Sequence, residues 1–377
     1  MKREYRSFDF ILLIAVCALI FLGIAVIASA TNPSAANHDL WFRQTLFFGL
    51  GFIMLLLAAF IDYHFICRFY ILIYVVCVAL LVGILVYNQL FVGATVARWF
   101  HFGPVNIQPS EVAKIFLIIF LAAFIDRQQE RLNHPLIVLF LAGAVAAPVL
   151  LVVAQPSLTS AIVLAFLSVS ILYIGGISIK YILPVVLIVI PIAVFVYQDV
   201  TRETPLLLNH FLEPYHITRI QTFLGINQNP DDMFQTGRSV QALASGQFAG
   251  QGFMQGRLTQ IGGIPEAQTD FIFSVIGEEF GFIGAAAVLA LSLFIIIKCL
   301  LTAQTAVDLP GKLMAVGVAS MFAFQVFTNV SVATDNLPNT GVPFPFVSYG
   351  GSSLLINMIA IGLVINIGMS KPKSFFG

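Results

Sequence analysis

Charge is what this chain has least of. Only 10% of its 377 residues are Asp, Glu, Lys or Arg, against 59% hydrophobic residues and a mean hydropathy of +0.97. A water-soluble domain carries about 25% charged residues, so a surface that faces water over most of its area is excluded. The 18 basic and 18 acidic residues cancel. That zero balance says nothing about partners such as nucleic acid, and the placement of the charges matters instead. Cysteine is scarce as well. Cys17, Cys67, Cys77 and Cys299 lie in or beside apolar stretches and form no CxxC pair, so they read as small buried hydrophobes rather than a disulfide framework. The six histidines lack HExxH-type spacing, which argues against a zinc site. No low-complexity tail, coiled coil or internal repeat is visible, and the missing repeat weighs against an inverted-repeat transporter.

What the chain does have is apolar length. A hydrocarbon core about 30 Å thick takes roughly 20 apolar helical residues. Ten stretches qualify, at 8–29, 42–61, 69–92, 110–126, 135–154, 156–175, 179–198, 269–300, 312–334 and 350–370. The first ends in IASAT, which looks like a signal-peptidase site, but its apolar run exceeds the usual h-region of about 7–15 residues, so it reads as a retained helix. The expected fold class is therefore an all-α polytopic membrane protein of about ten transmembrane helices, a single integral membrane domain over 1–377. Basic residues in the connections orient it. Lys2, Arg3, Arg6, Arg68, Arg127, Arg131, Lys180, Lys298, Lys312, Lys371 and Lys373 fall on one side, and Arg43, Arg98, Arg202, Arg219, Arg238 and Arg257 on the other. That imbalance puts both termini in the cytoplasm.

The connections are short except on the extracytoplasmic side, at 88–110, 199–268 and 335–349. The long 199–268 loop, between the seventh and eighth helices, is too apolar to be a linker. LLLNHFLEPYHITRIQTFL (206–224) alternates as an interfacial helix does, and RSVQALASGQFAGQGFMQG (238–256) ends in glycines that suit tight turns. The loop is either a structured cap or a platform that positions a substrate at the membrane surface.

Against this background five ionisable residues stand out: Glu111, Lys114, Asp270, Glu278 and Glu279. A charge at the centre of a membrane helix costs about 2.5–3.5 kcal/mol, so these must face a cavity, pair with one another or stay at the interface. Glu111 and Lys114, three apart, share a face at the outer end of the fourth span. Asp270 stands at the mouth of the eighth, and Glu278 is ~12 Å deeper along a continuous helix and within about 80° of the same azimuth. The simplest arrangement is one polar pocket open outward; buried ties between helices are the other reading for Glu278 and Glu279. Trp99 suits an interfacial anchor or a substrate contact. The glycines and serines of SYGGSS (348–353) suit helix packing or ligand contact. Two prolines in TGVPFPFVSYG break regular backbone, which at membrane depth is tolerated where it lines a cavity.

Three stretches, ARWFHFGPVNIQPSEVAKI (97–115), PEAQTDFIFSVIGEEFGFIG (265–284) and TGVPFPFVSYGGSSLL (340–355), closely resemble signatures of the SEDS family, the RodA and FtsW group of bacterial cell-wall polymerases. The likeness spans most of the chain. It implies a peptidoglycan glycosyltransferase that joins lipid II disaccharides into β-1,4 glycan strands at the outer face of the plasma membrane, for elongation or division. The family's aspartate falls on Asp270 as the leading catalytic residue, its glutamate and lysine on Glu111 and Lys114, and its tryptophan on Trp99. Arg98, Gln108, Ser110, Arg219, Glu278 and Ser348 join Trp99 as candidate substrate contacts. One departure is visible: many relatives read QPDLGT where this chain has QPSLTS (155–160), so Ser157 replaces an aspartate. That leaves open whether a divalent cation, magnesium or manganese, takes part. The resemblance further implies a class B penicillin-binding protein as partner, beside lipid II, the growing glycan strand and the bilayer, with no nucleic acid. The rival readings are a lipid II flippase, whose ionisable groups would lie near the midplane, and a non-catalytic scaffold for a penicillin-binding protein.

Overall fold

The structure, a computed structural model, describes residues 2–3, 8–33, 37, 39–88, 90, 98–102, 105–201, 214–226, 230–339 and 341–371. The expected interfacial segment 206–224 thus lies partly outside the described residues. Each of the ten apolar stretches is a helix, with ends within five residues of those expected. In chain order the elements are β1 (Lys2–Arg3), α1 (Phe10–Thr31), α2 (Leu40–Phe60), the short α3 (Tyr63–Arg68) and α4 (Tyr70–Tyr87). A small hairpin, β2 (Phe100–Phe102) with β3 (Val105–Ile107), leads into α5 (Pro109–Arg127), α6 (Pro135–Val153), α7 (Leu158–Ile174) and α8 (Ile179–Val200). The long loop carries α9 (Pro214–Phe223), α10 (Pro230–Gly246) and α11 (Arg257–Gln260). The chain then runs through α12 (Ile272–Thr305), α13 (Leu309–Ala333), α14 (Gly351–Met369) and β4 (Ser370–Lys371). Among the described residues, α1, α2, α4, α6, α12, α13 and α14 are long and apolar enough to cross a membrane, and α7 is a shorter apolar helix.

β1 pairs antiparallel with β4, Lys2 opposite Lys371, and so brings both ends of the chain to one face of the bundle. This terminal face is tied down by short polar contacts. Asp9 caps α1 by accepting from the Leu12 N–H (2.9 Å) and pairs with Lys298 of α12 (2.8 Å). Asp308 caps α13 by accepting from the Gly311 N–H (3.0 Å), and also meets the Tyr63 hydroxyl (2.8 Å) and His64 Nε2 (2.7 Å). α9, α10 and α11 lie at the opposite end, the loop face.

Large apolar side chains of α2, α4, α6 and α12, such as Leu46, Ile71, Leu139 and Leu293, point outward, as suits an apolar solvent. The interior belongs to α13 and α14, with α14 packed on α2, and α13 on α12, α7 and α5. α5 is enclosed along most of its length although it carries four charged residues. Ionisable residues in a membrane helix face the bundle interior, and α5 follows that rule at Glu111 and Lys114.

Two backbone irregularities shape the loop face. α12 is broken at Gly281, where φ +63 and ψ −161 are far from helical. Residues 247–252 restore the hydrogen bonds lost there: Glu278 and Glu279 carbonyls accept from Gln251 and Gly252 N–H (2.9 Å each), and Phe282 and Ile283 N–H donate to Gln247 and Phe248 carbonyls (2.9 and 3.2 Å). The approach is close, since a Cβ on Gly281 would lie 2.3 Å from Gly250 N. The second irregularity is the segment before α14, which dips between the helices until Val347 meets α1 at Gly23. A Cβ on Gly23 would lie 2.7 Å from the Val347 carbonyl oxygen, and Gly23 is ~12 Å along α1 from Thr31. Non-helical backbone at such depth is tolerated where protein surrounds it or a cavity adjoins it.

Candidate active site

A partly open cavity of about 730 Å³ lies at the loop face, between the loop-face ends of α5, α7 and α13, α9, and the segments before α12 and α14. α5 contributes Glu111 and Lys114. Pro109, in the first turn, starts this helix without leaving a backbone N–H unpaired, and the i, i+3 spacing puts both side chains on one face. The Lys114 ammonium donates to both Glu111 oxygens, each at 2.7 Å, and both residues are almost fully buried. The hydrogen bonds offset the desolvation of two charges that neither could bear alone.

Asp270 reaches the same cavity from the turn preceding α12. Its backbone is clamped: Asn329 on α13 donates through Nδ2 to the Asp270 carbonyl (3.0 Å) and the Val342 carbonyl (2.8 Å). Next door, Ser348 Oγ donates to the Thr269 carbonyl (2.6 Å) and Tyr349 N–H to the Gln268 carbonyl (2.8 Å). Gly341, at φ +68, passes so near that its Cβ would stand 3.7 Å from Asp270 Oδ2. Loss of water raises the Asp270 carboxyl to about 6; the nearby Arg219 opposes the rise, Glu266 adds to it and Arg98 opposes it. Arg219, on α9, donates to the Asn339 carbonyl (2.7 Å) and is thereby held at the rim. Arg98, Trp99 and Gln108 complete the wall beside α5, and the Gln108 N–H donates to Ser352 Oγ of α14 (3.2 Å).

Of the ten residues singled out from the sequence, Asp270, Glu111, Lys114, Arg98, Trp99, Gln108 and Arg219 line this one cavity. Three do not. Glu278 is fully buried away from it, accepting from Leu258 N–H (2.7 Å), Thr259 N–H (2.9 Å) and Thr259 Oγ1 (2.6 Å), and so fastens α11 to α12. The projection from Asp270 failed because α12 begins at Ile272, leaving Asp270 off the helical spiral. Glu279 likewise ties α12 to α1 through the Ser29 hydroxyl. Ser348 is used up in tying its loop to the segment before α12, since its Oγ, besides donating to Thr269, accepts from the Phe344 N–H (2.8 Å). Ser110 is buried in the packing of α5. The structure adds residues that the sequence did not single out as site candidates: Glu266, Gln325, Asn339 and Tyr349 line the cavity, as do Ser157 and Thr159 from the departing QPSLTS stretch. The signal that could have found Gln325 is the carboxamide pair Gln325/Asn329 at i, i+4 in a mostly apolar helix.

Such a cavity, with cations and carboxylates at one end of an apolar bundle, can hold an anionic lipid headgroup while a carboxylate handles a proton. The chain is 34% identical to the probable peptidoglycan glycosyltransferase FtsW of Trichlorobacter lovleyi, over 97% of this chain and 95% of that one. It is 31% identical to the peptidoglycan glycosyltransferase MrdB of Escherichia coli K12, over 93% and 91%. Its fold is similar to a chain from a solved structure on the coordination of polymerization and crosslinking by a peptidoglycan synthase complex, with a TM-score of 0.76, 26% identity and coverage of 96% and 97%. The family model FtsW/RodA/SpoVE, described as cell cycle protein, matches residues 7–373, and the chain belongs to that family.

Proposed function

We propose that this chain is a peptidoglycan glycosyltransferase that polymerises lipid II into β-1,4 glycan strands at the outer face of the bacterial plasma membrane. The observation that carries the mechanism is the meeting of Asp270 with Lys114, Arg98 and Arg219 around one cavity. The loop face is the outer side, because the connections on the terminal face hold the excess of Lys and Arg; all ten long helices then cross the bilayer and both termini are cytoplasmic.

The donor is an α-linked sugar on a polyprenyl diphosphate, and a β product calls for one inverting displacement. The acceptor hydroxyl oxygen bonds to the anomeric carbon as the carbon–oxygen bond to diphosphate breaks; the electron pair leaves with the diphosphate, and the hydroxyl proton passes to Asp270. A carboxyl near 6 is ionised at neutral pH yet more basic than an exposed one, which suits general-base work. Lys114, Arg98 and Arg219 supply positive charge where negative charge develops on the departing diphosphate, with Glu111 holding Lys114 in place. Among the described residues no three His, Cys, Asp or Glu side chains gather at one point. A magnesium or manganese ion would therefore rest on Glu266 and take its other ligands from substrate and water, adding positive charge at the leaving group.

The partner is a penicillin-binding protein of class B that crosslinks the strands, in keeping with the synthase complex that the fold resembles. Relatives named FtsW, stage V sporulation protein E and MrdB are 34%, 33% and 31% identical to the chain, so one chemistry serves division, sporulation or elongation. Purified protein given fluorescent lipid II in detergent tests the assignment. Wild type makes glycan polymer and Asp270→Asn makes it at least about a hundredfold more slowly. A flippase would make no polymer at all, and a scaffold would support growth with Asp270→Asn.

A further inference from the structure

Gln325 lies on the α13 face that holds Asp270. It sits four residues before Asn329, whose Nδ2 donates to the Asp270 carbonyl (3.0 Å), so it stands one turn, ~6 Å, deeper on the same side of the helix. Its side chain lines the cavity, only 1% of the residue is exposed, and Oε1 has no hydrogen-bond partner among the described residues. A buried carboxamide oxygen without a partner carries a desolvation cost that a ligand donor would remove. The cavity's ionised groups are suited to phosphate and hydroxyl. A neutral carboxamide, both acceptor and donor, is complementary to another carboxamide.

We infer that Gln325 reads the acetamido group of the sugar that carries the attacking hydroxyl, accepting from its N–H through Oε1 and donating to its carbonyl through Nε2. This rests on the transferase reading above. With the hydroxyl at Asp270, one helical turn is about the span of a single sugar ring. Gln325 then positions the acceptor and selects for the acetamido sugar, without touching the bonds that change.

The test measures kcat/KM for polymerisation by the full-length protein with two substrates: lipid II, and lipid II whose N-acetylglucosamine carries a hydroxyl in place of the acetamido group. Wild type is expected to prefer native lipid II about tenfold, the combined worth of two modest hydrogen bonds. Gln325→Met, equal in length but unable to hydrogen-bond, is expected to bring that ratio near one by losing activity on native lipid II alone, with an unchanged melting temperature. Equal loss on both substrates, or no loss on either, overturns the proposal. Should Gln325→Met fail to fold, the wild-type ratio still decides, because an active wild type that uses both substrates equally overturns the proposal alone. No polymer from either substrate overturns the transferase reading and this proposal with it.

Discussion

Asp270 and Glu278 stand eight residues apart in one sequence motif, and the bundle uses them in opposite ways. Asp270 occupies an irregular turn whose backbone is clamped by Asn329 and whose carboxyl lines a partly open cavity. Glu278 is inside a helix, fully buried, with three donors from 258–259 closing on its oxygens. Both carboxylates look misplaced in an apolar chain. The difference teaches that a charged residue at membrane depth becomes a site only when the surrounding segments leave its polar atoms something to do. Around Glu278 the long loop folds in and saturates the carboxylate; around Asp270 the loops stop short and leave room for a ligand.

Removing the two carboxylates should therefore separate activity from stability. Asp270→Asn is expected to lower the polymerisation rate about 10²–10⁴-fold while the melting temperature in detergent holds; comparable losses of both would put Asp270 in the same class as Glu278. Next in size is Lys114→Met. Leaving Glu111 buried without its partner should cost about 3–5 kcal/mol of stability, read as a large fall in melting temperature. Adding Glu111→Leu should restore most of that stability but none of the polymer, since the cavity still lacks its cation. Glu278→Gln should cost about 1–3 kcal/mol and expose α11 to hydrogen exchange, with the folded fraction retaining its rate. A large rate loss at unchanged stability would return Glu278 to the catalytic side of the comparison.

The smallest effect is on pH dependence. A carboxyl raised to about 6 becomes protonated as pH falls through that value, so kcat/KM should decline on the acid side with a midpoint near 6. Arg219 holds this carboxyl below where burial alone would put it. Arg219→Gln should move the acid limb upward, and a limb that stays in place would separate Arg219 from Asp270.

Much of this was legible in the residues. The ten helices follow from apolar length, because lipid admits few alternatives to a hydrogen-bonded helix. Glu111 with Lys114 follows from i, i+3 spacing inside one helix. The long loop was not legible: its course depends on the break at Gly281, whose freed backbone groups are met by residues some thirty positions earlier. Nor was Gln325, an uncharged residue whose importance comes from what fails to contact it.

Composition and local pattern alone thus determined the solvent, the helices and the chemical types gathered at one end, since these depend on neighbours within a few residues. Tertiary structure decided which carboxylate is open and which is closed. That choice is made by backbone from distant segments: 247–260 arriving at Glu278, and 341–350 passing beside Asp270 without filling the space before it. A buried charge is tolerated either way, and only the partner that reaches it sets its role.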